Sequence, residues 1–254
     1  MAVDVVTQGT VRVITINRPE RRNALDPATF RGLGDAFVAA EHDDAVRVLV
    51  LTGAGDQAFC AGMDLKAFVA GDAGDAGPGP GPGTEVFVER VYPKPIIAAV
   101  NGAAVAGGFG IMLGCDLVVA AEHAVFGLPE VKRGLVGVGA TSRAALRLPP
   151  AVVLELALTG APMDAARALH HGLVNRVVPS ADVLPTAIAL AEEIAANAPL
   201  AVALTKEIAY DARHLLDVDI AAWRERAAPI FASADAREGA TAFAEKRPPR
   251  FTGR

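Results

Sequence analysis

The sequence predicts an α/β protein in which buried strands alternate with helices along the chain. The segments 46–55 and 96–102 are short, mostly apolar and bounded by glycine, as strands that are buried on both faces are. The segment 23–43 begins with Asp-Pro and then places apolar residues at helical spacing. Alternation of these two patterns is typical of sheets that are covered by helices.

The predicted elements follow one another regularly, with one long interruption. Strands are predicted at 11–19, 46–55, 96–102 and 116–124. Helices are predicted at 23–43, 183–199 and 200–216, with a shorter helix and a basic tail within 235–251. The interruption, GDAGDAGPGPGPG at 71–83, lacks the side chains needed to pack a core. It is predicted to be a loop, either at the rim of a pocket or as a tolerated surface insertion.

Composition limits the classes of function. The 254 residues carry 24 basic and 29 acidic side chains, a net charge of −5, which argues against nucleic acid or an anionic membrane surface as a partner. The two cysteines, Cys60 and Cys115, are expected to be small buried residues rather than a disulfide or a metal site. The five histidines show no metal-ligand spacing with a carboxylate. No metal is therefore expected.

The location predicted from the sequence is the cytoplasm. The N-terminus lacks the basic start and apolar run of a secretory signal. Residues 95–115 are uncharged and long enough to cross a bilayer, but Pro95, Asn101 and several glycines interrupt them. A strand, a turn and a buried helix are predicted there instead. Serine-hydrolase, Walker and dinucleotide-binding motifs are absent from the sequence.

Two glycine-bearing segments and one glutamate remain as candidates for chemistry. The segments FCAGMDLKAF (59–68) and VNGAAVAGGFGIMLGCD (100–116) each follow a strand, so backbone N–H groups there can face a developing oxyanion. Tight helix–strand packing is the alternative explanation for the glycines. Glu130 follows a proline amid apolar residues, and its partial desolvation would suit a general base. The alternative for Glu130 is a salt-bridged surface loop.

The chain resembles the crotonase family, which is also called the enoyl-CoA hydratase/isomerase family. The resemblance rests on motifs in family order at 15–25, 51–68, 94–134, 157–178 and 238–247. FGLPEVKRGL and the 146–160 run are most similar to the carnitinyl-CoA dehydratase-like branch. The resemblance implies a spiral of repeated ββα units over residues 1–195. It also implies a C-terminal helical region, 196–254, that builds a homotrimer or a hexamer.

The resemblance also assigns roles to residues. The N–H groups of Met63 and Gly107 would form an oxyanion hole for the thioester oxygen of an acyl-CoA substrate, with Gly107 and Gly108 allowing close approach. Coenzyme A is then part of the substrate, and no separate cofactor is implied. The residues implied in binding coenzyme A are Ala61, Gly62, Asp64, Lys66, Arg22 and Lys246. For the basic residues, a solvated surface is the alternative.

The sequence departs from the family at two positions. Family hydratases carry a second glutamate at the position of Gly110, so only Glu130 is retained, and the vacated space is expected to admit substrate or water. A proline is common at the position of Gly137, so the loop after Glu130 is expected to be looser. One carboxylate suffices for a proton shuttle, which favours enoyl-CoA isomerisation. Hydration despite Gly110 and a catalytically poor acyl-CoA-binding protein are the alternatives.

Overall fold

The computed structural model describes residues 2–64, 91–211, 229, 233–245 and 247–254, and its strands form two sheets. The larger sheet contains, in spatial order, β1 (Val3–Gln8), β2 (Val11–Ile16), β3 (Val48–Gly53), β5 (Ile96–Val100), β7 (Leu117–Ala121) and β10 (Arg176–Val178). The smaller sheet contains β4 (Ala58–Cys60), β6 (Ala103–Val105), β8 (Val125–Gly127) and β9 (Met163–Asp164). Pairing is parallel except for β1 with β2 and β8 with β9.

From β3 to β8, strands that follow one another in the chain lie alternately in the larger and the smaller sheet. Each of the pairs β3–β4, β5–β6 and β7–β8 places its first strand in the larger sheet and its second in the smaller one. In the smaller sheet, the short strands β4, β6 and β8 therefore lie side by side. This arrangement brings the glycine-bearing segments after β4 and β6 next to each other.

The helices of the described residues fall into an N-terminal, a central and a C-terminal group. They are α1 (Pro27–Glu41), α2 (Gly107–Gly114), α3 (Val138–Ala145), α4 (Pro150–Thr159), α5 (Ala165–His170), α6 (Val183–Ala195), α7 (Pro199–Asp211) and α8 (Ala234–Glu245). Three single-turn 3-10 helices are η1 (Pro19–Arg21), η2 (Pro129–Arg133) and η3 (Ser180–Asp182). Helix α6 packs across β3, β5 and β7. The sequence-predicted α/β class is confirmed.

The predicted elements are present with shifted ends. Helix α1 begins where the Asp-Pro signal placed it, because the Asp26 carboxylate accepts a 2.8 Å hydrogen bond from Thr29 N. Strand β1 was not predicted from the sequence. It is an edge strand with a mostly exposed end, so burial imposes no clear alternation on its residues. The uncharged stretch 95–115 contains the predicted strand and buried helix, β5 and α2, whereas the short strand β6 between them was not predicted.

The C-terminal helices are fastened to the larger sheet by a half-buried ion pair. Lys206 Nζ on α7 lies 2.7 Å from Asp116 Oδ2, and Tyr210 OH donates to Asp116 Oδ1 at 2.8 Å. The same carboxylate accepts a 2.7 Å hydrogen bond from Ile96 N at the start of β5. Helix α7 therefore holds together the beginnings of two neighbouring strands.

Within the described ranges, no single helix has the length and apolar composition needed to cross a membrane. Segments 180–195 and 199–211 meet these criteria only when taken together, and they are bent by 108° at the break between them.

Candidate active site

The N–H group of Met63 points away from Leu25, the residue with which its backbone pairs. In this isolated parallel bridge, Leu25 N donates to Gly62 O at 2.8 Å, and Asp64 N donates to Leu25 O at 2.9 Å. Because N–H groups alternate in direction along an extended chain, Met63 N faces the opposite side. No acceptor for Met63 N is present among the described residues. This N–H is therefore available to a ligand.

Gly107 supplies a second available N–H at the first position of α2. The first intrahelical hydrogen bond of α2 is made by Gly110 N to Ala106 O at 3.0 Å, so the preceding N–H groups have no helical acceptor. Gly107 is exposed, and a Cβ atom there would lie 3.8 Å from Met63 N. The structure thus brings together the two N–H groups that the resemblance assigns to an oxyanion hole.

Gly62 allows this approach. Its φ of +85° is in the left-handed region, and a Cβ atom at residue 62 would lie 2.9 Å from both Ala106 Cβ and Gly107 N. Ala106 itself has a φ of +53°, which is unusual for a residue with a side chain. Backbone strain of this kind is concentrated at functional sites.

Gly108 has a different role from the one expected. A Cβ atom at residue 108 would collide with Cys60 O and lie 2.6 Å from Cys60 C. Gly108 therefore packs α2 against the backbone of β4, and the prediction that it gives substrate access was wrong for this glycine. Packing was the alternative, and it is correct here. Burial raises the pKa of the Cys60 thiol to about 12, so it is not a nucleophile.

Gly110 also faces protein. It is buried, and a Cβ atom there would lie 3.2 Å from Ala140 Cβ on α3. The expectation that the missing glutamate leaves space for substrate or water was wrong at this point, because α3 leans against α2 where that side chain would begin.

We expect Gly110→Glu to lower the free energy of unfolding by about 1–3 kcal/mol, the usual cost of overpacking. Ala140→Gly should restore part of this loss, since it removes the methyl group that the new Cβ meets. Urea denaturation of the two single variants and the double variant measures the coupling. Additive changes would contradict the contact between α2 and α3.

Glu130 lies half-buried in η2, and no side chain of the described residues pairs with its charge. Its Oε2 atom is the one fully buried side-chain oxygen or nitrogen without a hydrogen-bond partner among the described residues. Burial raises the pKa of this carboxyl group, partly offset by its own backbone N–H. No ion pair involving Glu130 occurs in the described ranges, so the salt-bridged surface loop that the sequence left open is not what forms.

The loop after Glu130 is not loose. Gly134 N and Leu135 N both donate to Glu130 O, the latter at 3.0 Å. Gly137 caps α3, and the carboxylate of Glu130 lies directly against it. The N–H groups are thus connected to the carboxylate through two helices. Gly107 and Gly110 lie one turn apart on α2, Gly110 lies against Ala140 on α3, and the cap of α3, Gly137, lies next to the Glu130 carboxylate.

The residues predicted to bind coenzyme A are partly placed. Arg22 is exposed, and its carbonyl accepts a 3.1 Å hydrogen bond from Ala61 N. The Asp64 carboxylate lies 3.2 Å from Arg18 Nη2, and this ion pair helps to fix the position of the segment that contains Met63. Lys66, Lys246 and the 71–83 segment lie outside the described residues.

Sequence reasoning missed two residues that hold this region. Arg18 also pairs with Asp26, at 3.1 Å, and so ties the start of α1 to Asp64. Asn23 is buried with a φ of +54°, and its Nδ2 donates to Ala58 O at 2.7 Å. The tolerance of asparagine for left-handed conformations could have indicated a turn there, whereas nothing in the spacing relates Arg18 to a carboxylate 46 residues later.

No cluster of three or more histidine, cysteine, aspartate or glutamate side chains able to hold a metal occurs in the described part of the chain. Cys115, like Cys60, is free and buried, and burial raises the pKa of its thiol to about 12. His170 is the last residue of α5, and His171 caps the helix before Gly172.

Comparison with known proteins identifies the family and the fold. The profile of the enoyl-CoA hydratase/isomerase family matches residues 6–254. A carnitinyl-CoA dehydratase of Proteus mirabilis is 41% identical over 100% of this chain and 99% of its own length, and one of Salmonella arizonae is 43% identical over 96% of each. Among solved structures, an enoyl-CoA hydratase of Mycobacterium tuberculosis superposes with a TM-score of 0.91 at 46% identity, covering 100% of this chain and 99% of that one. A Mycobacterium marinum enoyl-CoA hydratase gives the same TM-score and coverage at 48% identity.

The matched range contains every segment of the site described above, from the segment before α1 to the C-terminal tail. By sequence over nearly its full length and by fold, the chain belongs to the enoyl-CoA hydratase/isomerase family, whose members act on coenzyme A thioesters.

Proposed function

We propose that this enzyme isomerises the double bond of enoyl-CoA thioesters with Glu130 as the single proton carrier. The observation that carries the proposal is the buried, unpaired Oε2 atom of Glu130 in a site where residue 110 is glycine. A carboxylate whose pKa is raised by burial is a stronger base than an ordinary glutamate, so it is suited to accept a proton from substrate and to release it again. Shuttling one proton between two carbons needs no second carboxylate.

The reaction follows from the groups present. The thioester oxygen of a 3-enoyl-CoA accepts hydrogen bonds from Met63 N–H and Gly107 N–H. Glu130 takes a proton from C2, and the negative charge spreads over the dienolate and the thioester oxygen. As the thioester carbonyl forms again, the electron pair left at C2 makes the C2–C3 double bond, and the pair of the C3–C4 double bond takes up the proton that Glu130 returns to C4. Each N–H donor is expected to contribute about 3 kcal/mol to stabilising the charged intermediate.

Hydration is the alternative, and the names of the relatives favour it, since they are dehydratases and hydratases. Hydration needs a water molecule held at C3 while a proton is delivered to C2. With glycine at 110, only one carboxylate serves both tasks, and the loss of a general acid–base group commonly costs about 10²–10⁴ in rate. We therefore propose that hydration is slow here. A non-catalytic acyl-CoA-binding protein is the remaining candidate.

The purified protein should interconvert matched 2-enoyl-CoA and 3-enoyl-CoA substrates faster than it forms 3-hydroxyacyl-CoA. Chromatography and mass spectrometry of both product classes, over a series of acyl lengths, measure the ratio. A dominant 3-hydroxyacyl-CoA product would overturn isomerisation in favour of hydration. Tight binding without either product would overturn both in favour of the binding protein.

We further propose that residues 1–195 form a spiral of repeated ββα units and that residues 196–254 assemble the protein into a trimer or a pair of trimers. The alternation of successive strands between the two sheets supports the spiral. Light scattering coupled to size-exclusion chromatography measures the assembly, for which a monomer of 26.1 kDa would contradict the proposal.

A further inference from the structure

We propose that Gly137 is a positioning residue, which fixes the reactive location of the Glu130 carboxylate by having no side chain. The inference rests on the proposed role of Glu130. A Cβ atom at residue 137 would collide with Oε1 of Glu130, would lie 2.7 Å from its Cδ and would lie 3.3 Å from its Oε2. These are the three heavy atoms nearest to that position, so the carboxylate is the first group that a side chain at 137 would meet.

The backbone does not itself require glycine at residue 137. Its φ is −89° and its ψ is 69°, so the residue is outside the left-handed region and alanine would not be strained there. By contrast, Gly139, two residues later, is exposed, and a Cβ atom there would have no neighbouring heavy atom within 4 Å. A methyl group would therefore meet the Glu130 carboxylate at residue 137 and open space at residue 139.

The carboxylate lies in the space that the missing side chain at 137 leaves free. Its Oε2 atom has no hydrogen-bond partner in the described residues, so no directional bond fixes that oxygen. The main chain of Glu130 is fixed, because its carbonyl oxygen accepts hydrogen bonds from Gly134 N and Leu135 N. An added methyl group at 137 would therefore move the end of the glutamate side chain and leave the backbone in place.

The location of the Glu130 carboxylate affects the rate of proton transfer. Because a proton carrier must reach two carbons of one substrate, a displacement of about 1 Å can cost on the order of 10²-fold in rate. We expect Gly137→Ala to reduce kcat by about 10–100-fold, with little change in the affinity for acyl-CoA, since the N–H groups of Met63 and Gly107 are untouched. Gly139→Ala is the matched control and should leave kcat, affinity and folding unchanged or slightly improved.

A structural readout separates this inference from the proposed reaction. In a ¹³C NMR titration of the glutamate carboxyl groups, with Glu130→Gln to identify the resonance, Gly137→Ala should lower the pKa of Glu130 toward that of an ordinary glutamate. Gly139→Ala should not change it. This test holds even if the wild-type enzyme proves to be a hydratase or a binding protein.

A shorter acidic side chain at residue 130 tests whether the effect of Gly137→Ala is steric. Glu130→Asp withdraws the carboxylate from residue 137, so it should cost much less activity in the Gly137→Ala background than in the wild type. An unchanged kcat and an unchanged Glu130 titration in Gly137→Ala would overturn the inference. Equal losses in Gly137→Ala and Gly139→Ala would also overturn it, because they would indicate a general effect on α3.

Discussion

Glu130→Gln is expected to reduce turnover of enoyl-CoA by about 10³-fold, within the range typical of losing a general acid–base group. Glutamine keeps the shape of the side chain but cannot accept a proton from C2 of the substrate. Affinity for acyl-CoA should persist, because Met63 N–H and Gly107 N–H still bind the thioester oxygen. Steady-state kinetics give the first quantity, and calorimetric titration with a saturated acyl-CoA gives the second.

The matched control is Glu192→Gln on the exposed face of α6, which makes the same chemical change far from the site. It should leave both quantities unchanged. Full turnover in Glu130→Gln would mean that another group carries the proton. A parallel loss of affinity would instead mean that the carboxylate binds substrate rather than reacting with it.

The same substitution should increase stability at neutral pH. A folded-state pKa that burial raises means that the native state prefers the protonated carboxyl, so ionisation of Glu130 opposes folding. Its favourable contribution is present below the pKa of the unfolded chain and is lost as the pH rises through the higher folded value. Glu130→Gln should therefore unfold at higher urea concentration than the wild type at pH 7, with the difference disappearing in acid. An equal midpoint at pH 7 would contradict the desolvation of Oε2.

Gly108→Ala is expected to have the largest effect on stability, with a loss of about 3 kcal/mol or more in the free energy of unfolding. Its Cβ would meet the backbone of Cys60, and a backbone atom in a buried strand cannot rotate away as a side chain can. Helix α2 and strand β4 must separate instead. Because Met63 lies three residues after Cys60, its N–H should also be displaced, and activity should fall with stability.

Thermal and urea unfolding measure this loss, with Gly139→Ala as a control that adds the same methyl group to a helix in open space. The control should be neutral or stabilising by up to about 1 kcal/mol. A small loss in Gly108→Ala, similar to that of an ordinary glycine-to-alanine change, would contradict the close packing of α2 on β4.

The parts of the fold that the sequence predicted are those governed by local pattern. Apolar runs located β3, β5 and β7, and the Asp-Pro start located α1. Strand β1 escaped prediction because an exposed edge strand carries little hydrophobic pattern. The division of strands between two sheets also escaped prediction from pattern, since it depends on contacts between segments that are distant in the chain.

For the candidate site, too, some features could be predicted from the sequence and others depend on tertiary contacts. Free N–H groups after a strand and a desolvated glutamate could be argued from residue types and from family resemblance. The separate surroundings of Gly107, Gly108 and Gly110 could not, because three glycines of one helical turn look alike in sequence. In the structure, Gly107 is exposed beside Met63 N, Gly108 packs on the backbone of β4, and Gly110 packs on α3. The ion pair of Arg18 with Asp64 depends on a tertiary contact that no spacing reveals.

The pair between Lys206 and Asp116 limits how this chain could have been assembled in evolution. If the region after residue 195 were deleted or exchanged for an unrelated one, Asp116 would keep the Ile96 N–H but lose its cation and the Tyr210 hydroxyl. Leaving a partly buried carboxylate without its cation commonly costs more than the pair contributes when intact. The C-terminal helices are therefore not a module that can be transferred alone: they must be inherited together with the residue that opens β7.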